Sequence, residues 1–214
     1  MTGVLGFLVV RPRLYEAGDP AATLAALQAQ QLLVGAGIAL ELGIVLTQAL
    51  AALWLFRLFR EVDAVSATAV LVFGMVNATF ILASAAMLTV ARGAAADAGG
   101  LDAIQIVGTA SLMSEGLWEV AALFFGLWLI PLGLLVLRSG WMPRLLGWFL
   151  VVGGTGYALS AFAAALLPEA TLAATILSAP ANIGEFWLLG YLIVFGARPR
   201  TVRARREDAE RTAI

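Results

Sequence analysis

The side chains able to do chemistry in this chain are few, and they sit where charge is expensive. Glu185 lies nine residues into the apolar stretch 176–196, about 14 Å along a helix. Glu41 lies nine residues into another, 32–56, with Gln48 seven residues later on the same helical face. Asn77 and Tyr157 fall at similar depth in the stretches 64–90 and 145–167. Asn182 precedes Glu185 by one turn, with Ser178 on the same stripe, and Glu119 follows Glu115 by one turn near the end of 117–137. A lone carboxylate in hydrocarbon is costly, so Glu41 and Glu185 are expected to face the bundle interior, paired or uncharged. The partners expected for Glu185 are neutral: Asn182, Ser178, Asn77, Gln48 or Tyr157. The ligand-contact candidates are therefore Glu41, Asn77, Glu119, Tyr157, Asn182 and Glu185, with Glu185 the candidate acid.

Absent residue types exclude much else. The chain has no Cys and no His, and every basic residue is Arg. Thiolate or imidazole metal sites, His-based acid–base catalysis, Ser-His or Cys-His nucleophiles and lysine Schiff bases all drop out. No metal and no cofactor is expected. A net charge of −1 gives no reason to expect a nucleic-acid partner.

The elements that must position these groups are membrane spans. The 214 residues are 62% hydrophobic and 13% charged, against roughly 25% charged in a soluble domain. Five apolar stretches, 32–56, 64–90, 117–137, 145–167 and 176–196, are each long enough to cross the ~30 Å hydrocarbon core. The expected fold is all-α: one polytopic membrane helix bundle with about five full spans. Residues 1–10 read as a short or truncated first helix, since Gly3–Val10 is too short to span and lacks the marks of a signal peptide. Asp19-Pro20 reads as an N-cap and first helical position, opening a surface helix over 21–31 within an external segment, 11–31. Ala94–Gly100 reads as an external loop, and Asp102–Ser114 as a separate interfacial helix, because one helix over 102–137 would be about 54 Å long.

Arginine placement predicts orientation. The connections 57–63 and 138–144 and the tail 197–214 carry ten of the thirteen arginines, all on one side if the spans alternate. The positive-inside rule puts that side, and the C-terminus, in the cytoplasm, with the lipid bilayer as the chain's partner. Trp54, Trp141 and Trp148 then fall at the cytoplasmic interface, while Trp128 and Trp187 sit near mid-depth as packing or pocket lining. Gly35, Ala39, Gly43, Thr47 and Ala51 recur every four residues as a helix-packing ridge, and Gly153, Gly154 and Gly156 serve the same end in the fourth span. Pro131 and Pro180 read as kinks. No internal repeat is visible.

Three stretches carry a resemblance: RPRLYEAGDPAATLAAL near the start, FFGLWLIPLGLLVLRSGWMPRLLGW over 124–148, and PANIGEFWLL over 180–189. Arg138-Ser139-Gly140, Pro143-Arg144, Gly147, Pro180, Gly184 and Glu185 are its most specific part. The chain resembles the domain-of-unknown-function 4386 family of bacterial membrane proteins, usually of six helices. The resemblance implies the fold and a bacterial cytoplasmic membrane, and it supplies no reaction. Members carry a full first helix, whereas ten residues precede Arg11 here.

Three functions fit this set. One is a binder or carrier of a small or lipophilic ligand in a mid-bilayer cavity lined by protonatable glutamates. Another is a membrane enzyme, an isomerase or cyclase, in which a protonated Glu185 acts as general acid on a prenyl-type lipid beside aromatic rings. The third is a structural subunit of a larger membrane complex, its partner proteins unspecified. Glu185 accordingly reads either as a working group or as a hydrogen-bonded helix lock.

Overall fold

The computed structural model describes residues 11–16, 18–97, 101–166 and 171–196, and the statements below concern these. They are helical with no strand: α1 (Arg11–Leu14), α2 (Pro20–Ala29), α3 (Gln31–Phe59), α4 (Ala64–Ala96), α5 (Leu101–Ser139), α6 (Arg144–Leu166) and α7 (Thr171–Phe195). The expected partial helix 1–10 and tail 197–214 lie outside the described residues.

Each boundary has a local cause. Asp19 accepts from the backbone N–H of Ala21 and Ala22, and Pro20 opens α2, as its sequence predicts. Asp63 does the same for α4, accepting from Val65 N at 3.0 Å and Ser66 N at 3.3 Å. Its second oxygen takes Ser66 Oγ and an ion pair from Arg138, so one carboxylate ties the start of α4 to the last turn of α5. Gly140 ends α5 at φ 65°, a backbone state that glycine adopts without Cβ strain. Pro143 then precedes α6.

The chain divides into two compact units. The first comprises residues 1–51 and 75–121, the second 52–74 and 122–214. The first buries Leu14, Leu24, Leu27, Val34, Ala91, Ala95, Val107 and Ala110. In it, α2 is a surface helix with one packed face. Leu24 and Leu27 are buried, Gln28 Nε2 donates to Ala95 O at 3.2 Å, and Pro20 lies against Gly108. The second unit buries Leu129, Leu132, Leu135, Leu146 and Leu150 around Phe59 and Trp128.

Glycines set the spacing of the second unit. A Cβ on Gly126 or Gly133 of α5 would strike the α6 backbone at Gly154–Ala158 or Gly147–Val151. On the other side of α6, a Cβ on Gly153 would strike Pro180 and Ala181, and one on Gly156 the carbonyl of Leu177. The helices α5 and α7 thus both meet α6 backbone to backbone, the approach that small residues permit in lipid. Pro180 helps: it has no N–H for the carbonyl four residues earlier, and its ring crowds that turn just where α7 meets α6.

Three expectations are corrected. Helix α5 runs unbroken through Asp102–Ser114, because no proline interrupts that stretch and Val107, Ala110 and Ser114 are buried along one side of it. Helix α4 continues to Ala96, into the segment read as a loop. The ridge on α3 is packed only in part: Ala39 and Thr47 are exposed and Gly35, Gly43 and Ala51 half-buried, while the buried residues of the helix include Val34, Glu41, Ala52, Leu55 and Phe59. The Thr47 hydroxyl is spent on its own helix, donating to the carbonyls of Gly43 and Ile44.

Replacing Gly153 or Gly126 by Val is expected to destabilise the folded chain by about 1–3 kcal/mol through overpacking. Gly190→Ala, where nothing lies within 4 Å of an added Cβ, serves as the control. Reversible unfolding in mixed micelles measures this, and an unchanged Gly153→Val midpoint would refute the close approach.

Candidate functional site

In the second unit three helices bring polar groups together. Gly184 packs on Phe149 and Leu150, so Glu185 of α7 is level with the first third of α6, while Tyr157 lies two turns farther along. Side chains lean toward the N-terminus of their own helix. Helices α6 and α7 are antiparallel, so Glu185 and Tyr157 lean toward each other and come within electrostatic reach. Trp128 joins them from α5, 7% exposed, its indole N–H close to the Glu185 carboxyl. The geometry stops short of a hydrogen bond: Glu185 Oε1 and Trp128 Nε1 are both enclosed and both without a partner. Buried polar atoms are nearly always bonded, so such a pair needs an explanation. Phe125 stacks on Tyr157 with centroids 5.7 Å apart, so the phenol ring is backed by a second aromatic ring.

Glu41, in the first unit, is satisfied instead. It is 4% exposed, and Ser84 Oγ of α4 donates to its Oε2 at 3.0 Å. Ser84 also accepts from Trp118 Nε1 of α5 at 3.0 Å and lies 2.8 Å from Ser114 Oγ. A serine hydroxyl has one proton; Ser84 gives it to Glu41, so Ser114 must donate to Ser84. The chain of bonds runs one way, from α5 through α4 onto the α3 carboxyl. Two turns along both antiparallel helices from that level lie Gln48 and Asn77. Asn77 is fully buried with neither amide atom bonded, and Gln48 Nε2 and Ser111 Oγ are also unpartnered.

The remaining candidates stand apart from these clusters. Glu115 and Glu119 are exposed on α5, and Asn182 is exposed on α7. The Ser178 side chain lies outside the described residues. Of the partners expected for Glu185, Tyr157 comes within electrostatic reach of it, and Trp128 lies beside it. Sequence reading missed Ser84, Ser114 and Trp118. Ser84 sits seven residues after Asn77 on one helical stripe, a spacing that could have flagged it; serines are common in spans, so the signal is weak.

Four of these helices, α3, α4, α5 and α6, are long and apolar enough to cross a bilayer, and α7 carries a shorter apolar stretch, Ala179–Phe195. Large apolar side chains such as Leu46, Phe162 and Ile193 point outward. The fold is that of a polytopic helical membrane protein. The family model described as domain of unknown function (DUF4386) matches residues 1–196, and the chain belongs to that family. No curated protein and no solved structure matches it.

Ser84→Ala removes the hydroxyl that donates to Glu41 and is expected to cost about 1–3 kcal/mol of stability. Combining it with Glu41→Leu should recover the part of that loss that comes from the unmet carboxyl, while Trp118 and Ser114 still lose their acceptor at Ser84. A double-mutant cycle of unfolding free energies checks this; strictly additive effects would show that the bond contributes nothing.

Proposed function

We propose that this protein binds a small lipophilic ligand at the Glu185–Trp128–Tyr157 cluster. The observation that carries the reading is the enclosed pair of unbonded atoms, Glu185 Oε1 and Trp128 Nε1, from two helices that both pack closely on α6. A ligand group placed between them meets an acceptor, a donor and the phenol of Tyr157, whose ring Phe125 backs. Ligand sites commonly have this make-up, mostly apolar with a few fixed polar groups. Glu41 has a different part in this reading. Its bond to Ser84 makes it a lock between α3 and α4, the bland alternative that the sequence left open for both glutamates.

The reading also places the chain in a bacterial cytoplasmic membrane with its C-terminus inside. Arg57, Arg60, Arg138 and Arg144 support that orientation, all at or beside helix ends, with Arg57 lying 5.7 Å from the exposed Trp54 ring.

Two measurements test these statements. In a thermal-shift panel of lipophilic hydrogen-bonding compounds against the purified chain, some should stabilise wild type by several degrees and lose the effect in Glu185→Gln, since a ligand at 100 times its Kd contributes about 2.7 kcal/mol. A panel in which no compound distinguishes the two proteins would end the reading. Reporter fusions after residues 60 and 140 should report a cytoplasmic location; a periplasmic signal at either would reverse the orientation.

A further inference from the structure

Resting on that ligand reading, we infer the class of ligand: an organic cation, a lipophilic amine or quaternary onium compound, whose positive group sits between the Glu185 carboxyl and the rings of Trp128 and Tyr157.

Charge balance is the first ground. Among the described residues of the second unit the cations are Arg57, Arg60, Arg138 and Arg144. Arg57 and Arg60 close α3, and Arg138 is engaged by Asp63. Arg144 opens α6 a turn and a half from the Glu185 level, exposed and leaning, as helical side chains do, away from it. None of these helix-end arginines pairs with Glu185. A carboxyl in a low-dielectric site without a counter-ion is neutral while it holds its proton, and a ligand that brings a fixed positive charge takes that proton's place.

The second ground is the surroundings. An onium ion is stabilised by ring faces as well as by an anion, and Trp is the strongest such ring. Trp128 is almost fully buried beside the carboxyl, and Tyr157 is backed by Phe125. The indole N–H can turn to the carboxylate once the cation is bound, completing its acceptor set. An anionic ligand would meet Glu185 as a like charge. A neutral one could satisfy a donor or an acceptor but would gain nothing from the carboxylate's charge. A third ground is access for an apolar body: Phe186 and Ile183, flanking Glu185 on α7, are exposed on a helix apolar enough to face lipid. A ligand that partitions into the bilayer therefore finds the site from the membrane side.

The test uses the full chain in detergent or lipid nanodiscs, with tetraphenylphosphonium as the cationic probe and triphenylphosphine oxide as the neutral one. Binding is followed by tryptophan fluorescence and equilibrium dialysis. The expected result is saturable binding of tetraphenylphosphonium, about tenfold or more tighter than the oxide, with that preference abolished in Glu185→Gln. Trp128→Phe, which keeps a ring and loses the N–H, should retain the cation preference, whereas Trp128→Leu should weaken it several-fold. Circular dichroism and size-exclusion profiles of the variants guard against misfolding, and the contrast between Trp128→Leu and Trp128→Phe carries the test if Glu185→Gln does not fold; equal cation preference in the two would then overturn the assignment. Equal or tighter binding of the oxide overturns the cation assignment and leaves the ligand reading standing. Failure of wild type to bind tetraphenylphosphonium overturns the cation assignment too, and the compound panel then decides separately whether the cluster binds anything.

Discussion

Backbone-to-backbone contact along both sides of α6 is the constraint on which the second unit depends. In lipid there is no hydrophobic drive to bring helices together, so packing and polar contacts must do it. Gly126, Gly133, Gly153, Gly154 and Gly156 remove the side chains that would keep α5 and α7 at ordinary distance. Once the helices are that close, the register of α5, α6 and α7 is fixed, and Trp128, Tyr157 and Glu185 converge as a consequence. Their convergence is a by-product of small residues elsewhere on the same helices.

Two glutamates within apolar helices, Glu41 buried and Glu185 half-buried, have opposite fates. Glu41 receives a one-way relay of hydrogen bonds from Trp118 and Ser114 through Ser84. Such a group is accounted for, and its energy goes into holding α3, α4 and the first half of α5 together. Glu185 has an enclosed oxygen that nothing bonds, and its nearest donor is also unspent. Function is sought where polar capacity is left over, because leaving it unmet costs stability that a ligand can return.

The polar ends obey a different logic. Asp63 caps α4 and holds Arg138 at the end of α5, and the Tyr191 hydroxyl donates to the Trp141 carbonyl at 3.2 Å. Trp141 itself stacks on Phe59 at 5.3 Å. These contacts fasten the helix ends of the second unit to one another, leaving the interior polar groups free of structural duty at the ends.

The residues alone determined the class of this protein: long uncharged stretches can be stable only as helices in a bilayer, and the Asp19-Pro20 cap and the arginine-bearing turns follow from local chemistry. They also determined that Glu41 and Glu185 had to be enclosed, since the cost of a lipid-facing carboxylate does not depend on the fold. Which partner each would find was decided only in three dimensions. Ser84 lies 43 residues from Glu41, and Trp128 lies 57 residues before Glu185. Helix crossings bring such pairs together, and no local propensity encodes a crossing. The unbroken run of α5 and the true packed face of α3 were hidden for the same reason: a small-residue ridge marks where close approach is permitted, and only the neighbouring helix determines whether it occurs.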